Sequence, residues 1–285
     1  MSSLVPVMVR TFGRTGSTLL MQILGTSERI LFERQYPFEH RYLTYVYQLT
    51  QQIQAPVVTD DTWNNSVLFQ GRKSVVGCLP YVKTPLLDRE RLALKSIESL
   101  WEVFSAEMLE SAGLSPDQTC FYAEKTPHKV SDFVTEHLGG RTVYLLRDPR
   151  DELVSIRSFN QKRGFRSFGW SESDTDLSYA RKMCTNRRTF MRDLLNSEIS
   201  DRRYHIRYED LITNGEKEVS RLSAWLGEPL NFAKAMKNKN VHQQHMTARN
   251  FKSSVERWRR ELGEDVQELF ADELGQELVE LGYAV

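Results

Sequence analysis

Residues 4–25 read LVPVMVRTFGRTGSTLLMQILG, and this stretch decides the fold. Leu4–Thr11 is a near-continuous apolar run, the pattern of a strand buried on both faces. Thr18–Gly25 follows with apolar residues at helical spacing. Between them lies Gly13-Arg14-Thr15-Gly16-Ser17-Thr18. Glycines let the main chain turn tightly, so that successive N–H groups point inward, and the helix N-terminus adds partial positive charge. Ser17 and Thr18 supply hydroxyl donors and Arg14 a cation. The segment therefore predicts a strand, an anion-binding nest and a helix, with a phosphate-type group as client. A glycine turn that merely joins a strand to a helix is the plainer alternative, and it leaves Arg, Ser and Thr together unexplained.

The rest of the chain fits around this unit. Arg29–Phe32, Cys120–Ala123, Thr142–Leu146 and Tyr204–Arg207 are further short apolar or aromatic runs bounded by polar residues. Helical spacing marks Asp88–Ser111, Pro149–Phe159, Leu177–Asn196, Lys217–Leu226 and Arg259–Leu281. Strands alternating with helices predict an α/β fold of three layers, a central parallel sheet flanked by helices. Ligands of such sheets bind outside the carboxyl ends of the strands. The polar clusters Thr11–Thr18, Glu124–His128, Arg147–Asp151 and Tyr208–Leu211 all follow predicted strands and so should share one rim. Residues 160–176, rich in Gly, Ser, Arg and aromatics, read as a loop over that rim, a candidate lid.

With 285 residues and 40% hydrophobic content, a substantial core is expected, in one domain spanning residues 1–285. Lys plus Arg and Asp plus Glu number 38 each, so the net charge is zero, which argues against a general nucleic-acid or membrane-surface binder. The three cysteines, Cys78, Cys120 and Cys184, have no metal-ligand spacing and read as reduced thiols of a cytoplasmic protein. The opening apolar run is too short for a signal-peptide core, and no stretch approaches the roughly 20 apolar residues of a membrane span.

Compared with the nucleoside-triphosphate loop G-x-x-x-x-G-K-[ST], Gly16 can occupy the last glycine, but Thr11 then stands at the first and Ser17 at the lysine. The loop instead resembles the 5′-phosphosulfate loop of the PAPS-dependent sulfotransferases, Pro-Arg/Lys-Ser-Gly-Thr-Thr, with Gly13 for Pro, Thr15 for Ser and Ser17 for the first Thr. PAPS is 3′-phosphoadenosine 5′-phosphosulfate, and PAP is the nucleotide left after sulfuryl transfer. Arg147-Asp-Pro-Arg-Asp151, followed by Ser155, is similar to the family's 3′-phosphate motif. Locally, Asp148 suits an N-cap, Pro149 the first helical position, and Asp151 and Glu152 the first turn. Read alone, the same residues also fit a capped helix with surface ion pairs.

Arg207-Tyr208-Glu-Asp-Leu211 and Phe251–Arg260 extend the resemblance, which spans most of the chain except residues 36–118. The resemblance implies a P-loop-NTPase-like sulfotransferase fold, with residues 36–118 as a variable, helical, substrate-side region. It implies that PAPS is held by Gly13, Arg14, Thr15, Gly16, Ser17, Thr18, Arg147, Ser155, Tyr208, Lys252, Ser253 and Arg257. Structural roles compete for several of these: core packing around Tyr208, and a basic surface helix at Lys252–Arg260.

Sulfuryl transfer shares with phosphoryl transfer a loose, in-line transition state that needs positioned cations. The nucleotide phosphate is a good leaving group, so the reaction does not strictly require a metal. Arg14 and Lys125 are the candidate cations, Lys125 by resemblance, with an ion pair to Glu124 or another carboxylate as its alternative role. For the base that takes the acceptor's proton, the resemblance implies Glu33 first and His128 second; Glu39 and His40 are weaker candidates. The acceptor is expected to be a hydroxyl or amine of a carbohydrate, lipid or other small molecule. Two other functions compete, a P-loop kinase and a catalytically silent nucleotide binder of the same fold.

Overall fold

The computed structural model describes residues 4–35, 37–54, 88–126, 128–237 and 246–285. Five strands, β1 (Leu4–Arg10), β2 (Ile30–Leu31), β3 (Cys120–Thr126), β4 (Arg141–Leu146) and β5 (Arg203–Arg207), form one parallel sheet in the order β2-β3-β1-β4-β5. The order places β1 at the centre, and the loop that follows it opens in the middle of the carboxyl rim.

Alternation along the strands separates the core into layers, because successive side chains point to opposite faces. Val7 and Val9 of β1, Ala123 of β3 and Val143 and Leu145 of β4 face one side. There they pack against α1 (Ser17–Leu24), α7 (Tyr208–Thr213), α8 (Gly215–Leu226) and α9 (Phe232–Met236). On the other face, Leu4, Met8 and Tyr122 pack under α2 (Tyr42–Gln54), α3 (Arg89–Ser111) and α4 (His128–His137). Further along that face, Tyr144 and Leu146 pack under α5 (Pro149–Arg163), α6 (Asp176–Leu195), the short α10 (Trp258–Glu261) and the C-terminal α11 (Glu264–Glu280). Three layers result, as the alternation of strand and helix signals predicts. Among the described residues no helix is long and apolar enough to cross a membrane.

Several boundaries differ from the sequence reading for physical reasons. β3 continues through Glu124, Lys125 and Thr126 because Met8, Val9 and Arg10 of β1 keep pairing with them. Glu124 survives burial by accepting hydrogen bonds from Leu43 N (2.8 Å), Thr44 N (2.9 Å), Thr44 Oγ1 (2.5 Å) and Tyr122 Oη (3.0 Å). It thereby caps α2 from a distant strand. α5 runs to Arg163 and stops at Gly164, whose φ of 71° suits glycine in the left-handed region. The loop over the rim is thus residues 164–175, and its first four predicted residues are helical. The predicted C-terminal helix is interrupted at Leu262 and Gly263, both extended, where Leu262 turns into the core.

Of the aromatics in the 36–118 region, Phe38 is buried against Phe32, and Tyr42 stacks on Phe104 with ring centres 3.8 Å apart. These serve the core. Tyr36, Trp63, Phe69, Cys78, Tyr81 and the rest of 55–87 lie outside the described residues.

Candidate active site

The loop after β1 holds its shape from within. Thr15 Oγ1 donates to Phe12 O (2.8 Å), and the Thr11 hydroxyl lies between Leu145 O (2.9 Å) and Thr15 Oγ1, to either of which it can donate. Thr15 is buried, so its hydroxyl serves the loop rather than a ligand. Arg14 (φ 70°) and Gly16 (φ 95°) both adopt left-handed backbone. At Gly16 a Cβ would run into the ring of Tyr208, so glycine is required there by conformation and by space. Gly16 is also the N-cap of α1 and offers no side-chain acceptor, which leaves the first N–H groups of that helix for another partner.

Arg14 lies with its guanidinium 4.2 Å from the centre of the Phe159 ring and donates from Nε to Ser155 Oγ (3.2 Å). Ser155 is buried two turns into α5, whose start is built as the sequence predicts: Asp148 accepts from Arg150 N (2.9 Å), and Pro149 is the first helical residue. Asp151 and Glu152 do more than complement the helix dipole. Asp151 accepts from Glu256 N (2.6 Å) and Trp258 N (2.9 Å), fastening the C-terminal segment to α5. Glu152 forms a buried pair with Arg187.

Arg147 follows β4 directly. It donates to Arg14 O (2.9 Å) and Ser254 O (2.7 Å), stacks 4.6 Å over Tyr208, and keeps a buried Nε without a hydrogen-bond partner. Tyr208 Oη in turn bonds Ser254 Oγ (2.8 Å). Arg14, Gly16, Ser17, Thr18, Arg147, Ser155 and Tyr208 thus line one cleft of about 620 Å³, open to solvent.

Its far wall includes Met246, Thr247, Phe251 and Ser254; the last two fall within the Phe251–Arg260 block of the resemblance, which gave neither a role, and the first two lie before it. Within that block the resemblance singled out Lys252, Ser253 and Arg257. Of those, Lys252 is exposed, and Ser253 bonds within its own turn, to Asn250. Neither lines the cleft. Arg257 is buried and reaches Thr247 Oγ1 (3.1 Å), Ser158 Oγ (3.2 Å) and Glu261, so it supports the wall from behind.

A second cavity of about 1160 Å³ lies beyond the loop, its walls including Arg10, Phe12, Glu39, Arg41, Lys125, Phe168 and Phe190. Gly13 and Ser17 border it too, and Ser17 lines both cavities. Lys125 Nζ pairs with Glu39 Oε1 (2.9 Å) and donates to Pro37 O (2.7 Å). Burial lowers the Lys125 ammonium from its ordinary value, with Glu39 acting against the fall. Burial pushes Glu39 upward, but Lys125 and Arg41 outweigh it and hold the carboxyl below the usual value. Phe168, carried by the 164–175 loop, packs against the Cα of Gly13; Tyr179 Oη donates to Phe168 O (2.7 Å) and fixes it. Glu33 is exposed, accepts from Gln35 N (2.7 Å), and lines neither cavity. His128 begins α4 just past the end of β3, and its side chain lies outside the described residues.

A strand, a nest with a cation inside it and a second arginine one strand over are now in one cleft, and the family model of the sulfotransferases matches residues 6–232. The chain belongs to the sulfotransferase family. Among solved structures, the sulfotransferase domain from the curacin biosynthetic pathway shares the fold at 16% identity and a TM-score of 0.53, covering 99% of this chain and 98% of that one. The sulfotransferase domain from the Synechococcus PCC 7002 olefin synthase is 16% identical with a TM-score of 0.49, covering 99% and 95%. A mouse sulfotransferase complexed with PAP is 12% identical with a TM-score of 0.48, covering 98% and 84%. No curated protein sequence matches significantly.

Proposed function

We propose that this sulfotransferase takes its sulfuryl group from PAPS and passes it to a hydroxyl or amine of a small-molecule or carbohydrate acceptor. The observation that carries the reading is Ser17, the shared wall between a cleft lined by Arg14, Arg147 and Ser155 and a cavity lined by Lys125 and Glu39. Transfer between two bound partners needs such a junction, because the reacting atoms must approach in line.

The residues present suit the donor. The N-terminus of α1 lacks a side-chain acceptor, Gly16 keeps the loop clear of Tyr208, and Arg147 Nε is buried and unpartnered. Each asks for an anion, and the two arginine sites suit a nucleotide phosphorylated at two positions. In this reading Arg14, Ser17, Thr18 and the α1 N–H groups hold the 5′-phosphosulfate end, while Arg147 and Ser155 hold the 3′-phosphate. Thr247, Phe251 and Ser254 close the nucleotide side. When bound, the donor supplies a sulfuryl group on a phosphate leaving group. Arg14 and the helix terminus stabilise charge that grows on that phosphate, and the buried Lys125 ammonium adds a cation on the acceptor side.

Calorimetric titration with PAP, set beside ATP–Mg²⁺, tests the donor assignment. Micromolar or tighter PAP binding with ATP–Mg²⁺ much weaker is expected. Preference for ATP–Mg²⁺ would return the protein to the kinases. Sulfate transfer from labelled PAPS to a panel of carbohydrate, lipid and phenolic acceptors then separates an enzyme from a silent binder.

A further inference from the structure

Of the candidate bases that the sequence offers, Glu33 and His128 ahead of Glu39 and His40, the acceptor cavity carries the carboxylate of Glu39. Among the described residues lining that cavity, Glu39 is the one acid. Its placement is elaborate for a surface side chain. Oε1 meets Lys125 at 2.9 Å, and Oε2 accepts from Arg41 Nε (3.0 Å) and Nη2 (2.7 Å). Lys125 also holds Pro37 O, so the 37–41 segment is clasped to β3 at two points. Phe38 (φ 61°) and Arg41 (φ 53°), on either side of Glu39, are both non-glycine residues in left-handed backbone. Such conformations cost about 1–2 kcal/mol each and persist where the surroundings impose them. Phe38 is anchored by burial against Phe32, and Arg41 by its two bonds to Glu39.

Resting on the sulfotransferase reading above, we propose that Glu39 is the catalytic residue that receives the acceptor's proton, with Lys125 and Arg41 as the residues that position it. The acceptor oxygen forms the new bond to sulfur. The bond from sulfur to the 5′-phosphate oxygen breaks, and its electron pair leaves on PAP. The acceptor's proton passes to a Glu39 carboxylate oxygen and from there to water. Lys125 and Arg41 keep Glu39 ionised and so ready to accept, at the expense of basicity. A weak base suffices because the attacking hydroxyl becomes strongly acidic once its bond to sulfur begins to form.

The test compares Glu39→Gln and Glu33→Gln in three measurements on the full chain. The first is PAP affinity by calorimetry, expected within threefold of wild type in both variants. A wild-type chain that fails to bind PAP defeats the donor assignment, a failure distinct from any concerning Glu39. The second is hydrolysis of PAPS to PAP and sulfate, with water as acceptor, expected to fall at least 100-fold in Glu39→Gln only. The third is PAP-dependent cleavage of aryl sulfates, the reaction in reverse. Glu39→Gln should lose at least 100-fold with phenyl sulfate, whose leaving group needs a proton. With 4-nitrophenyl sulfate, whose leaving group needs none, it should lose only a few-fold. A purely structural role would depress both sulfates equally, and that outcome overturns the proposal. Retained hydrolysis in Glu39→Gln with loss in Glu33→Gln overturns it as well and hands the role to Glu33.

Discussion

Replacing Gly16 by Ala adds one methyl group at the most constrained point of the phosphate loop. The backbone there has φ 95°, and a Cβ would penetrate the Tyr208 ring. Left-handed backbone costs a non-glycine residue about 1–2 kcal/mol. Moving Tyr208 away breaks its 2.8 Å hydrogen bond to Ser254, worth about 1 kcal/mol, and shifts the ring from beneath Arg147. Together the two effects amount to about 2–3 kcal/mol, or about 30- to 150-fold in an equilibrium constant. Gly16→Ala should therefore weaken PAP binding by about that factor. Urea unfolding of the free protein reports how much of the strain is felt without ligand. Adding Tyr208→Ala removes the ring but not the backbone strain, so in urea the double variant should lose less stability than the sum of the two single losses. PAP affinity within threefold of wild type in Gly16→Ala, with unchanged stability, would refute the account of the loop.

Other perturbations have equally definite outcomes. Arg14→Ala removes the cation of the nest and should weaken PAP binding by about 10- to 100-fold, the range of a charged hydrogen bond; unchanged affinity in a calorimetric titration would count against the loop as the phosphate site. Glu124→Ala strands the donors of Leu43, Thr44 and Tyr122 and should cost about 2–4 kcal/mol in urea unfolding, with hydrogen exchange rising first in α2. Glu209 is buried, accepts from Asp148 N and Tyr283 Oη (both 3.0 Å), and burial pushes its carboxyl up to about 7. Its protonated form is favoured by folding, so the stability it contributes is complete below the ordinary carboxylate range and lost as pH rises through about 7. Wild type should thus lose roughly 3 kcal/mol relative to Glu209→Gln between pH 4.5 and pH 8, and a flat difference across that window would contradict the assignment.

The fold was legible because its signals are local and repeated. Five apolar runs, four of them followed by a polar cluster, suffice to predict a parallel sheet with a populated rim. Arg14 and Ser17 were found for the same reason, lying in the turn just after a strand, whereas the pairing of Arg147 with Ser155 came from the resemblance to the family's 3′-phosphate motif. The far wall of the cleft and the carboxylate of the second cavity obey no such offset. Thr247 and Ser254 reach the cleft because Asp151 holds the Glu256–Trp258 backbone, a contact spanning more than a hundred residues. Glu39 is brought to the cavity by Lys125 across an equally non-local pair. Glu124 and Asp151 read from sequence as a possible ion-pair partner and a dipole complement. Burial turned both into hydrogen-bond acceptors for distant backbone. Tertiary pairing of polar groups leaves no periodicity in the chain.

The 3.2 Å contact from Arg14 to Ser155 joins residues 141 apart in the chain, both lining the cleft proposed for the nucleotide. It makes the loop and α5 a caliper. The spacing at which two charged groups of a ligand are gripped depends on how α5 lies, and α5 is braced from behind by the Glu152–Arg187 pair. Loosening that brace would therefore alter the choice between nucleotides of different phosphate spacing before it abolished binding. If the cleft holds the proposed donor, one helix serves both its packing and its choice of ligand.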